Sequence, residues 1–128
     1  MGRLKPEMLG RMAEYADRVL DVAEALERQG RSRRVVDQVA GCGTSIGANT
    51  FEADQAMTRK DFARTMAITA KELGESRFRL RLVSRRGWIK SARLAELLNE
   101  TDELLAIRKA MIVRTRGASA SRRTRRSG

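Results

Sequence analysis

Along the first thirty residues the apolar positions Met8, Met12, Tyr15, Val19, Val22 and Leu26 recur at steps of four, three, four, three and four. That is the repeat of one helix face. Leu9, Ala16, Leu20 and Ala23 broaden the stripe past the narrow seam of a two-stranded coiled coil, to the width of a bundle helix. Pro6 suits a first helical turn, where its missing N–H is not needed, and Glu7 complements the helix dipole there. Gly30 supplies the left-handed residue that ends many helices. The pattern predicts a helix over 7–29.

A second helix is predicted over 33–57, with Ser32 as its N-cap. Val35, Val39, Cys42, Ile46 and Ala53 fall on one side of it, at steps of four, three, four and seven. Gln38, Ser45, Asn49 and Glu52 form an adjoining polar stripe, and polar groups beside a buried seam need partners. Gly43 and Gly47, four apart, leave a flat spot for another helix, although each costs an isolated helix about 1 kcal/mol relative to Ala. Thr58 followed by Asp61 resembles a capping box and opens a third helix over 59–86. Its seam is Phe62, Met66, Leu73, Leu80 and Val83, interrupted by Thr69 and Ser76, while Phe78 points to another face and suggests a second contact surface. Gly87 stops that helix, Trp88 and Ile89 cover the turn, and Ser91 is placed to cap a fourth helix over 91–113. Leu94, Leu97, Leu98, Leu104, Leu105, Met111 and Ile112 carry its apolar face.

Four helices of similar length joined by short turns pack antiparallel, so the expected fold is all-α: an up-down-up-down four-helix bundle over 1–113. Residues 114–128 contain Arg114, Arg116, Arg122, Arg123, Arg125 and Arg126, no acid and no large apolar residue. A disordered basic C-terminal tail is expected there.

Composition narrows the chemistry. A chain of 128 residues, 41% hydrophobic, suffices for one domain with a core. One Cys and no His argue against disulfide frameworks, Cys/His metal centres and His-based nucleophilic machinery. The expectation is a protein that is not an enzyme, with no metal and no cofactor. No apolar run approaches a membrane span and the N-terminus lacks the apolar core of a signal peptide, which points to the cytoplasm. The formal charge of +11, from 27 basic and 16 acidic residues, favours a polyanionic partner such as RNA or DNA.

Topology sharpens that expectation. In an up-down bundle the first and third turns share an end, so Arg31, Arg33 and Arg34 approach Arg85, Arg86 and Lys90. Arg77 and Arg81 extend the charge down the third helix at four-residue steps. Trp88, beside Ile89 in the turn, is read as sealing that bundle end rather than stacking on a base. The polar stripe of the second helix faces Glu72 and Glu75 on the third. A hydrogen-bonded network that sets helix register or subunit contacts explains it better than a carboxylate active site, for which no nucleophile or metal site is visible. Cys42 is read as a core thiol. Gly41, Gly43 and Gly47 have the wrong spacing for a dinucleotide fingerprint and precede no Gly-Lys-Ser/Thr.

Gln38, then Ser45-Ile46, Asn49 and Glu52 on the second helix, and Phe62 through Glu75-Ser76-Arg77-Phe78-Arg79-Leu80 with Lys71-Glu72 on the third, resemble the proteins encoded in intervening sequences of bacterial large-subunit (23S) ribosomal RNA genes. The resemblance covers most of residues 8–112 and extends, distantly, to the accessory variability determinant of diversity-generating retroelements. It implies an up-down four-helix bundle, a homopentameric ring and a role with nucleic acid. Where the family often has a basic pair followed by two Ala, this chain has Ala40, Gly41, Cys42 and Gly43, and the Arg-rich tail lies outside the family pattern. The combined expectation is an oligomeric protein that contacts phosphates, without sequence preference, through the basic bundle end and tail. The alternative is a homo-oligomeric scaffold that docks a protein partner.

Overall fold

A computed structural model describes the backbone of residues 2–127 and the side chains of residues 2–117. It consists of α1 (Pro6–Arg28), α2 (Arg33–Asp54), α3 (Arg59–Arg85) and α4 (Ser91–Ser127). Consecutive helices pack on one another, whereas α1 and α4, which close the ring of four, have backbones that meet only sparsely. The fold is an all-α four-helix bundle, and none of the described residues forms a strand.

The turns show why the chain reverses where it does. At the end of α1, Gly30 takes a φ of 75°, its N–H bonds to Glu27 O at 2.9 Å, and the Arg31 N–H reaches back to Leu26 O at 3.1 Å. This paired closure needs a left-handed residue, which Gly adopts without a Cβ penalty. The end of α3 repeats it: Gly87 has φ 73°, with Gly87 N to Ser84 O at 3.0 Å and Trp88 N to Val83 O at 3.2 Å. Ser32 caps α2 by accepting the Val35 N–H at 3.3 Å, and Thr58 caps α3 by accepting the Asp61 N–H at 3.1 Å.

Three local expectations change. The second helix ends at Asp54 rather than 57, because Thr58 must be extended (φ −127°, ψ 158°) to cap α3 and Asp54 is held by the N-terminal segment. Its carboxylate accepts the Leu4 N–H at 2.7 Å and its carbonyl the Arg3 N–H at 3.1 Å. Ser91 does not cap α4. It is already inside the helix, and its hydroxyl meets that of Ser84 at 2.7 Å. Finally, α4 does not stop near 113 but continues to Ser127. No proline interrupts residues 114–127, and Arg and Ala are strong helix formers. A lack of large apolar residues governs packing, not helix propensity.

The core has a main cluster that includes Met12, Tyr15, Val19, Leu26, Ile46, Leu73, Leu80 and Leu104. A smaller cluster of Leu4, Ala53, Phe62, Met66 and Ile112 lies at the second-turn end, and Met8 packs against both. Each fully buried Leu or Ile stabilises the fold by about 1.5–3 kcal/mol. Of the adjacent pair at the start of α2, Val36 is the buried one, at 4% exposure, while Val35 is half-buried. The seam sits slightly toward α1 because Gly43 lets α1 approach. A Cβ at Gly43 would lie 3.2 Å from both Ala16 O and the Val19 side chain, whereas at Gly47 the nearest atom would be Ala16 Cβ at 3.6 Å.

Candidate nucleic-acid interface

The two matching glycine closures bring turn one and turn three together around Trp88. The Gln29 amide Nε2 donates to Trp88 O at 2.7 Å. The Arg31 guanidinium carbon stands 4.7 Å from the Trp88 ring centroid and that of Arg86 stands 5.5 Å away. The ring therefore both covers the core end and holds two cations from different turns by their attraction to its π-face. Arg33 is otherwise engaged, with Glu27 at 3.2 Å and Asp37 at 3.5 Å; hydrogen bonding to Glu27, then to Asp37, raises its pKa. Arg34, Arg81, Arg85 and Lys90 are exposed. Arg77 is bonded across the bundle to Asp102 of α4, at 2.8 Å.

Below this end, where α1 and α4 stand apart, runs an open groove of about 610 Å³. Arg18, Arg28, Lys90 and Arg93 border it over a floor of Val22, Ala25, Leu94 and Leu97, with Asp21 as its acidic member. Sequence reasoning passed over Arg18, Arg28 and Arg93. Arg28 in the last turn of α1 and Arg93 in the first of α4 adjoin the same two turns, and that signal was available, whereas Arg18 lies in the middle of α1. Arg114 and Arg116 lie exposed on α4 at the opposite end. Arg122, Arg123, Arg125 and Arg126 have side chains outside the described residues.

The polar stripe of α2 meets α3 in one short bond: Asn49 Nδ2 donates to Glu72 Oε1 at 2.6 Å. Gln38, Ser45, Glu72 and Glu75 border a cleft of about 190 Å³ together with Gly41, Cys42 and Arg79. Glu75 lies 3.8 Å from Arg79, and Arg79 Nη1 donates to Cys42 Sγ at 3.4 Å. Glu52 is exposed and outside this cleft. Burial pushes the Cys42 thiol up despite the nearby guanidinium, so it stays protonated and behaves as a packed thiol. Among the described residues, no group of three or more His, Cys, Asp or Glu is placed to hold a metal. No described helix is long and apolar enough to cross a membrane.

Other polar features hold α4 to the rest. The Tyr15 hydroxyl, fully buried, lies 2.9 Å from Ser76 Oγ and 2.8 Å from Thr101 Oγ1, joining α1, α3 and α4 and accounting for a serine in the α3 seam. Burial raises the Tyr15 pKa. Arg11 binds Glu100 with two nitrogens, at 2.6 and 2.8 Å, and Glu103 at 3.1 Å. The hydrogen bonds to Arg11 hold the Glu100 carboxyl below its ordinary range. Arg108 is 0% exposed. Its Nη1 reaches Met8 Sδ at 3.3 Å, while Nε and Nη2 have no partner among the described residues. Burial, then the nearby charge of Arg11, brings its pKa down to about 10.

The model of the 23S rRNA-intervening sequence protein family matches residues 6–110. The chain belongs to that family. A solved structure, described as a protein of unknown function from the S23 ribosomal protein family of Bacteroides thetaiotaomicron, is similar at a TM-score of 0.76 and 29% identity, over 81% of this chain and 96% of the other. No curated protein matches the chain. Within the intervening-sequence frame, Ser45, Asn49, Glu72 and Glu75 fall along the α2–α3 contact and Ile46 in the core. The basic extension after residue 110 lies outside the family match.

Proposed function

We propose that this intervening-sequence family protein is a non-enzymatic, cytoplasmic homo-oligomer that binds nucleic acid through phosphate contacts without sequence preference. The convergence of Arg31 and Arg86 on Trp88 carries the reading. Two basic turns remote in sequence present one cationic end, with Arg34, Arg85 and Lys90 exposed around it and the Arg-rich end of α4 as a second source of charge. Such contacts release counterions, so affinity falls steeply with salt, at about 0.9 logarithmic units per phosphate neutralised on a duplex. Filter binding of the full chain across a salt series tests this. The double substitution Arg31→Gln/Arg86→Gln lowers the salt slope by about two if both residues meet phosphates. Tight binding that is indifferent to salt, or no binding to any oligonucleotide, rejects the proposal.

A second reading is favoured by Ile68, Phe78 and Leu82 on α3, which are 41%, 67% and 40% exposed. They suit a contact with a second copy or another protein, as a homo-oligomeric docking scaffold requires; a pentamer is the assembly the family resemblance implied. Co-purification of one protein in fixed ratio after nuclease treatment, with no residual affinity for oligonucleotides, would put this reading first.

A further inference from the structure

The acids and bases are not spread evenly over the four helices. Helices α1 and α2 carry nine acidic and five basic residues, whereas α3 and α4, counted through Arg116, carry seven acidic and thirteen basic. Position accentuates the bias. On α3, Glu72 is bonded to Asn49 of α2, Glu75 lies by Arg79 against Cys42 of α2, and Asp61 stands eleven residues before Glu72 on the same side. On α4, Glu96, Glu100 and Glu103 reach Arg18 and Arg11 of α1. That leaves Asp102 as the acid between α3 and α4, and Arg77 neutralises it at 2.8 Å.

The face shared by α3 and α4 is therefore cationic toward both of its ends. At the second-turn end, Arg59, Lys60, Arg64 and Arg116 border a groove of about 640 Å³ with Ala63 and Ala67 as its apolar floor and no acid among its lining residues. The ion pairs of the described residues use Arg11, Arg18, Arg33, Arg77 and Arg79, none of this group. At the other end stand Arg81 and Arg85, both exposed. Lys60, Ala67, Gly74 and Arg81 recur every seven residues and so share one side of α3. Gly74 has open space where a Cβ would stand. Lys60 and Arg85 are separated by 25 residues, close to seven turns, or about 38 Å at 1.5 Å per residue. Arg81 lies about 32 Å from Lys60 by the same measure. A double helix presents the same backbone to one side once per turn, about 34–36 Å in B-form DNA.

We propose that double-stranded nucleic acid lies lengthwise on the α3–α4 face, its backbone meeting Lys60, Arg64 and Arg116 at one approach and Arg81 and Arg85 at the next, with the small Ala67 and Gly74 and the exposed ring of Phe78 between. This rests on the nucleic-acid reading above and adds to it a cluster, at the end opposite Trp88, and a ligand: a duplex of at least one turn. Of the stretch expected as a tail, Arg116 enters one approach; its other arginines are not needed for either.

The test is filter binding of the full chain to DNA and RNA duplexes of 8 and 20 base pairs, and to 20-nucleotide single strands. The variants are Lys60→Gln/Arg64→Gln and Arg81→Gln/Arg85→Gln, with circular dichroism to verify folding and light scattering to record assembly. The expected result is that the 20-pair duplex binds at least tenfold tighter than the 8-pair duplex and the single strand. Each double substitution then lowers the 20-pair salt slope by about two, and costs no more than about twofold on the 8-pair duplex, which meets one cluster at a time. Preference between the DNA and RNA arms shows which helical form fits the spacing. If the Lys60/Arg64 variant binds all oligonucleotides like the unaltered chain while Arg31→Gln/Arg86→Gln abolishes binding, the proposal falls and the basic-end reading stands. If Lys60/Arg64 substitution changes assembly but not binding, the face is an interface between copies, and the proposal falls. If the unaltered chain binds no nucleic acid, both readings fall.

Discussion

Helix α1 has two neighbours, and it is held to them by different means. Against α2 it lies close, because Gly43 leaves no Cβ to meet Ala16 O and Val19, and the contact is apolar. Against α4 it stands apart, and long polar side chains span the gap: Arg11 to Glu100 and Glu103, Arg18 to Glu96, the Tyr15 hydroxyl to Thr101, and Arg108 to Met8. The first contact depends on shape, so it resists salt and pH but not added volume. The second depends on pairing, so it tolerates volume but not loss of a partner. An opening that ends in a basic groove lies along the second.

The largest break in this comparison is Gly43→Leu, which forces a branched side chain against the α1 backbone and costs about 3 kcal/mol, read as a lowered urea midpoint. Gly47→Ala is the control: with 3.6 Å to its nearest neighbour it stays neutral or stabilises by up to about 1 kcal/mol. Next is Arg108→Met. A buried charge with two nitrogens unpartnered among the described residues costs more than an apolar side chain of similar length, so the variant gains about 2 kcal/mol, and a loss would show that Arg108 has a partner in the assembled protein. Tyr15→Phe comes third, at about 1.5 kcal/mol, since Ser76 keeps a buried hydroxyl without its bond.

The smallest effect is pH-dependent. Because Arg11 lowers the Glu100 pKa in the folded state, the pair stabilises the fold fully above the unfolded carboxylate value of about 4.3. That contribution is lost as pH falls through the lower folded value. Glu100→Gln therefore weakens the fold by about 1 kcal/mol at pH 7 and matches the unaltered chain at low pH. An equal deficit at both ends of a pH series would mean that the carboxylate's charge is not what spans the gap.

Much of the architecture is written in local signals. Gly30, Ser32, Thr58 and Gly87 each act through their own backbone or nearest neighbours, and a linear reading finds them. Ser91 misled because a serine beside a predicted start fits a cap equally well whether its hydroxyl faces the helix or another side chain. Arg108 was legible but unread: it lies four residues after Leu104 and four before Ile112, on the core face, where charge is costly enough that few would look for it. Thr101 and Ser76 follow the same logic, since their partner Tyr15 is remote in sequence. The basic end followed from topology, whereas the cationic α3–α4 face needed knowledge of which acids turn toward α1 and α2.

The chain contains a single tryptophan, and it is the residue that Arg31 and Arg86 share. Indole emission responds to what lies over the ring, so a polyanion that draws those guanidinium groups away would alter a signal with no other tryptophan to dilute it. The protein carries its own optical reporter at the junction of its two basic turns, and occupancy of that end is readable without a label.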